Sequence, residues 1–237
     1  MTTISMYKIS VPIFVQFLTS LSAVLDKTAA YAEAKKVEPS VLLNTRLAPD
    51  MFPLGRQVRA ATDHAINAGG RLAGVALPEL PNADATIPEL KDRIAKTIDF
   101  LKGLKPAQID GSEDKEIKIT FPSGAVREFT GQSLLLNNSL PNFYFHCTTA
   151  YDIARHCGIE LGKRDFMGTP VSMLGASGQS GLGAATTRRP DRAEDYFDTT
   201  AVTSISTIIP GQASWLIVSS VWAGSGLLPN ASTRHLP

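Results

Sequence analysis

The chain has 237 residues, 43% of them hydrophobic, enough to bury the core of one good domain or two small ones. Lysine plus arginine (23) nearly balances aspartate plus glutamate (22), so the chain lacks the basic surplus of a nucleic-acid binder. No uninterrupted apolar run reaches the ~18 residues of a membrane-spanning helix, and the nearest approach, 201 to 228, is broken by Pro210 and several glycines.

The first predicted element is a helix with Ser10 as its cap and Pro12 in its first turn, running to about Lys36. Ile13, Phe14, Phe17, Leu18, Leu21, Val24 and Leu25 follow helical spacing, and Gln16, Thr19, Ser20 and Ser22 interrupt what would otherwise read as a signal peptide. A short element follows Pro39, and a turn over 48–50 precedes a second helix in FPLGRQVRAATDHAINAGGRLAG. Its Leu54, Val58, Ala61, Ala65, Ala68 and Leu72 recur at three and four residues. The proline-rich linker VALPELPNAD leads to Thr86 and Glu89, a capping box that opens a third helix over 87–104 with Leu90, Ile94, Ile98 and Leu101 inward. KEIKITF and AVREFT alternate in polarity on either side of Pro122-Ser123-Gly124 and read as a β-hairpin. The last long helix begins near Thr130 or Ser133 and ends at Gly158.

Four long amphipathic helices, with a small hairpin between the third and fourth, make the expected fold an all-α four-helix bundle over residues 1–168. From residue 169 glycine and small side chains dominate without helical or strand period, so 169–237 is expected to be a disordered tail.

Chemistry-bearing side chains concentrate in PNFYFHCTTAYDIARHCG, residues 141–158. At about 100° per residue, Leu136, Ser139, Phe143, His146, Ala150, Ile153, Ala154 and Cys157 share one side of a helix. His156 lies a quarter turn away, so the two histidines do not chelate together. On the second helix His64 sits at the margin of the buried face, in line with Gln57 and Arg71. In a bundle, His64 and His146 converge across the interior. Three imidazoles, or two with a carboxylate, and one open position would suit zinc, nickel or iron, but only His64 and His146 are in place. Asp63 and Asp152 point away from them. The competing account is a core histidine donating to a backbone carbonyl or to Tyr144, Tyr151 or Asn142. Cys147 diverges from His146 by about 100° on the helix, which argues against a nucleophile and base. Cys147 and Cys157 lie roughly 15 Å apart along a helix, too far to pair, which fits buried thiols in a reducing, cytoplasmic setting. Gly69-Gly70 and the glycines around Gly178 lack the surroundings of a phosphate loop. The glycosylation triplets at Asn137 and Asn230 have no secretion signal to give them meaning.

The segments SVPIFVQFLTSLSAVLDKTAAYAEAK, LLNTRLAPDMFPLGRQVRAATDHA, RIAKTIDFL and LPNFYFHCTTAYDIARHCGIELGKRDFMG together resemble the domain-of-unknown-function family DUF1993, a branch of the DinB/YfiT-like bundles. The resemblance covers about residues 6–168 and implies a DinB-like fold with no established activity. Better-studied relatives in the wider superfamily bind a divalent metal through three histidines, one on the second helix and two spaced by four on the last, and several are thiol-dependent transferases or isomerases. His64 matches the first position and His146 the second, while Ala150 stands at the third. The resemblance also implies association as a homodimer. Two functions follow as expectations. One is a bundle that binds a small molecule or partner in a pocket with His64, Tyr144, His146 and Asn142. The other is a metal-dependent transferase or hydrolase whose third ligand is missing.

Overall fold

The computed structural model describes residues 4–82, 85–120 and 124–170. Residues from 171 on, where a disordered tail was expected, lie outside the described residues.

The first helix, α1 (Val11–Lys35), forms where apolar residues recur on one side, and it buries Phe14, Phe17, Leu18, Leu21, Val24 and Leu25. Ser10 does not cap it. The Ser10 hydroxyl is buried and donates backward to the Met6 carbonyl at 2.6 Å, because the chain is already coiled in turns before the helix begins. At the other end Lys36 takes the left-handed conformation, φ 54°, and its successor Val37 donates to Ala32, closing the last turn. A short α2 (Pro39–Leu43) follows. The next long helix, α3 (Leu54–Ala73), buries Leu54, Val58, Ala61, Ala65, Ala68 and Leu72 at 0–1% exposure, the expected stripe. In α4 (Ile87–Gly103) the Thr86 hydroxyl accepts from the Glu89 amide while the Glu89 carboxylate accepts from the Thr86 amide, the reciprocal cap its sequence predicts. A single turn, α5 (Pro106–Ile109), precedes the antiparallel pair β1 (Glu116–Thr120) and β2 (Val126–Thr130), in register Glu116 to Thr130 and Lys118 to Glu128.

The last long helix is not regular throughout. It starts as α6 (Gly131–Ser133), passes through a π-helical stretch over Leu134–Ser139, and continues as α7 (Leu140–His156). A π turn holds one residue more than an α turn, so the inward stripe slips by one position on crossing it. Leu134 and Leu135 are buried, and Leu136, placed inward by uniform helical spacing, is 42% exposed. Beyond the slip the predicted face holds through Phe143, His146, Ala150, Ile153 and Ala154, which are all buried, while Cys157 at its end is only partly buried. Gly158, at φ 91°, stops the helix as its position in the sequence implied. A short α8 (Lys163–Met167), with no counterpart in the sequence reading, runs back along α1. Gln16 donates to the Met167 carbonyl at 2.8 Å, Ser20 donates to Phe166 at 2.7 Å, and Lys27 pairs with Asp165 at 2.7 Å.

The four long helices pack around one core, α1 beside α4 and α7, and α3 beside the same two. At its centre Phe14 of α1 meets Phe143 of α7 edge to face, with ring centroids 4.9 Å apart. On the α3 and α4 side, Arg93 is buried because its guanidinium donates to Thr62 at 2.7 Å and to the Pro81 carbonyl at 2.6 Å and pairs with Asp63. Arg59 donates in the same way to the Asn82 carbonyl. Two arginines of adjacent helices thus hold the connection that follows α3. Among the described residues no helix is long and apolar enough to cross a membrane.

Candidate functional site

The seam between α3 and α7 carries the polar residues that the fold brings together. His64, ten residues into α3, is half-buried, and His146, six residues into α7, is 8% exposed. Their rings face each other with centroids 5.5 Å apart and planes 19° from parallel. The convergence expected from the helical wheel is therefore present.

One side of the pair is aromatic. Phe52, in the loop before α3, lies nearly parallel to His146 with centroids 6.2 Å apart, and Phe145 stands edge-on to it at 5.3 Å. Both phenylalanines are open to solvent, at 44% and 55% exposure, so the imidazoles sit in an apolar frame. The Arg56 guanidinium lies over the Phe52 ring at 4.9 Å.

Gln57 completes the site. It is 1% exposed in the first turn of α3, and its Oε1 lies 2.7 Å from His146 Nδ1 while its Nε2 donates to the Phe52 carbonyl at 3.0 Å. The sequence placed Gln57 on the same line as His64, seven residues earlier and so about two helical turns away. That alignment was the available signal. The loop that brings the Phe52 carbonyl to the glutamine amide left no trace in periodicity.

Burial sets the charge state of both rings. His146 is pushed down to about 4, first by desolvation and then by the neighbouring His64 and Arg56. His64 is lowered by burial as well, partly offset by Asp63. Both imidazoles are therefore neutral at neutral pH, able to accept as well as donate.

The other expected participants lie elsewhere. Tyr144 packs edge to face on Phe17 of α1 at 5.1 Å, and burial raises its hydroxyl above the usual tyrosine range. Asn142 donates to the Asn138 carbonyl at 2.7 Å, one helical turn back, and so steadies the exit from the π-helical stretch. His156 is exposed. Cys147 is sealed between α1, α7 and α8 with Phe17, Leu21 and Tyr151, and burial pushes its thiol well above the normal cysteine range, the reverse of an activated nucleophile.

The three-histidine metal set implied by the family resemblance is not completed by these side chains. Ala150 occupies the third position with a methyl group fully buried in the core. Among the described residues no three of histidine, cysteine, aspartate and glutamate come together as ligands. A separate groove of about 990 Å³ lies at the α1 and α4 seam, across the helices from the imidazoles, with Asp26, Glu33, Lys36 and Lys91 on its walls.

None of the curated proteins matches this chain. A crystal structure of a DinB family member protein from Shewanella denitrificans is similar to it, with 40% sequence identity, a TM-score of 0.63, and coverage of 69% of this chain and 92% of that one. The model of the domain of unknown function DUF1993 matches residues 6–167, which takes in every helix and strand described above. The chain belongs to the DUF1993 family and carries the DinB-like fold over that span.

Proposed function

We propose that the protein binds a small molecule at the α3 and α7 seam, with the apolar body of the ligand against Phe52 and Phe145 and its polar group on the His64 and His146 rings. The observation that carries this reading is the meeting of two neutral imidazoles, 5.5 Å apart, beside two solvent-exposed phenylalanines. Uncharged polar groups set in an apolar frame orient a ligand without the large desolvation cost of a buried charge. The narrower pair replaces the broader set with Tyr144 and Asn142, whose own partners lie on α1 and within the last helix.

Phenol serves as a minimal probe, since it offers a ring and one hydroxyl. Titrated into the full chain, it is expected to shift the backbone amide signals of Phe52, Gln57, His64, Phe145 and His146, and the shifts should vanish in His146→Phe. Shifts confined to the α1 and α4 groove, around Asp26 and Lys91, would sink the proposal. The competing reading, a metal-dependent transferase or hydrolase using zinc, nickel or iron at His64 and His146, is supported by the same closeness of two neutral imidazoles. It requires one equivalent of metal in protein purified without a histidine tag, lost in His146→Ala.

A further inference from the structure

The Gln57 side chain is buried, and each end of its amide has a partner of known character. The Phe52 backbone carbonyl can only accept, so the amide nitrogen must face it, as the 3.0 Å contact has it. Reversing the amide would set two carbonyl oxygens against each other. The oxygen of Gln57 is therefore committed to the other contact, 2.7 Å from His146 Nδ1, and an amide oxygen can only accept. Nδ1 must carry the hydrogen. A neutral imidazole has one N–H, so Nε2 is left with its lone pair. Among the described residues Nε2 has no hydrogen-bond partner, and Ser112 Oγ is the one fully buried side-chain polar atom there without a partner. His146 Nε2 accordingly keeps contact with solvent.

We propose that Gln57 is the positioning residue of the imidazole pair: it holds His146 as the Nδ1-protonated tautomer, so that the site takes ligands presenting a hydrogen-bond donor, a hydroxyl or an N–H, to Nε2. The choice of ligand class rests on the reading that the pair is a binding site, whereas the tautomer does not. The control is indirect. A backbone carbonyl in a loop orients an amide, and the amide orients a ring on another helix. Such an outer partner commonly decides which nitrogen of a histidine is presented. The device also explains why a glutamine, with four hydrogen-bonding positions to satisfy, stands at a buried site in α3.

Nitrogen NMR of the full chain labelled at its 4 histidines reads the tautomer directly, with the His146 signals assigned by their loss in His146→Gln. The wild type is expected to show a proton-bearing Nδ1 and a bare, pyridine-like Nε2. Gln57→Met keeps the length of the side chain but removes the accepting oxygen and should lose that pattern. Gln57→Leu should collapse it to the averaged signals of two exchanging tautomers. A proton on Nε2 in the wild type overturns the proposal, as does an unchanged pattern in Gln57→Leu. If Gln57→Leu does not fold, the wild-type and Gln57→Met spectra decide alone. Added phenol is expected to move the Nε2 signal more than the Nδ1 signal. Amide shifts at Phe52 and Phe145 with Nε2 unmoved would overturn the ligand class while leaving binding intact. No phenol shifts at all would remove the binding reading, and the ligand class with it, and leave the tautomer result standing.

Discussion

Arg93 of α4 donates through Nε to the Thr62 hydroxyl of α3 at 2.7 Å, and that hydroxyl donates onward to the Arg59 carbonyl at 2.6 Å. A buried cation is thus wired into the backbone of a neighbouring helix. Its other contacts, to Asp63 and to the Pro81 carbonyl, tie down the connection after α3. Arg93→Met is expected to cost about 1–3 kcal/mol and not the larger penalty of breaking a sealed ion pair, because Asp63 is half exposed and can return to water. Chemical denaturation gives the magnitude. Faster limited proteolysis between residues 75 and 82 would show that the loss is felt in the connection.

Acid should destabilise the protein through the imidazole pair. The His146 ring titrates near 4 when folded and near 6.5 in an unfolded chain, so above pH 6.5 it is neutral in both states and contributes no pH dependence. Below that the unfolded chain takes up the proton first, and stability falls until about pH 4. The full loss from His146 is roughly 3 kcal/mol, since a tenfold change in proton affinity is worth about 1.4 kcal/mol. His64 acts in the same direction, Arg56 faces the pair as a fixed cation, and Asp63 opposes the effect on His64. Denaturation midpoints at pH 7, 5.5 and 4.5 should drop steeply in the wild type and less steeply in His146→Gln. Equal slopes would refute this account.

Gly131 allows the hairpin to run directly into the last helix. A Cβ there would overlap the backbone carbonyl oxygen of Ser112, which has no freedom to move aside as a side-chain tip would. Gly131→Ala is expected to destabilise by about 1–3 kcal/mol, although alanine by itself favours a helix by ~1 kcal/mol. A rise in melting temperature would contradict it.

Thr86→Ala removes one half of the reciprocal cap on α4 and should cost about 1 kcal/mol. Hydrogen exchange localises the effect: the Glu89 amide, which donates to Thr86, loses protection while that of Leu101 keeps it.

Much of the architecture is legible before any coordinates are known. The stripe from Leu54 to Leu72, the Thr86 and Glu89 cap, and the stop at Gly158 are local signals, each decided within a few residues of itself. The meeting of His64 with His146 is legible too, because it needs only two helix faces and the rule that such faces point inward. What fails depends on residues distant in the chain. Arg93 is inside because Thr62 and Asp63 receive it, which no spacing within α4 reveals. Ser10 looks like a cap until the turns before it supply a nearer acceptor at Met6. Leu136 faces outward because the helix changes its winding beneath it, and a wheel drawn at constant angle has no means of registering that. Gln57 stood in view on the His64 line, but its significance lies in the Phe52 carbonyl, a loop atom.

The winding change over Leu134–Ser139 also separates two problems of assembly. Upstream, Gly131 is locked to Ser112 by close approach, and at the start of the stretch Leu134 and Leu135 must turn inward; downstream, Phe143, Ala150 and Ile153 must do the same on a longer helix. A rod of uniform pitch would let one requirement dictate the other, since removing one residue turns everything on one side by about 100° relative to the other. The wider turn works as a phase joint, taking up the mismatch so that each half settles against its own neighbours. Deleting a residue there would throw out the side with less buried, the hairpin and its two leucines, and leave His146 opposite His64.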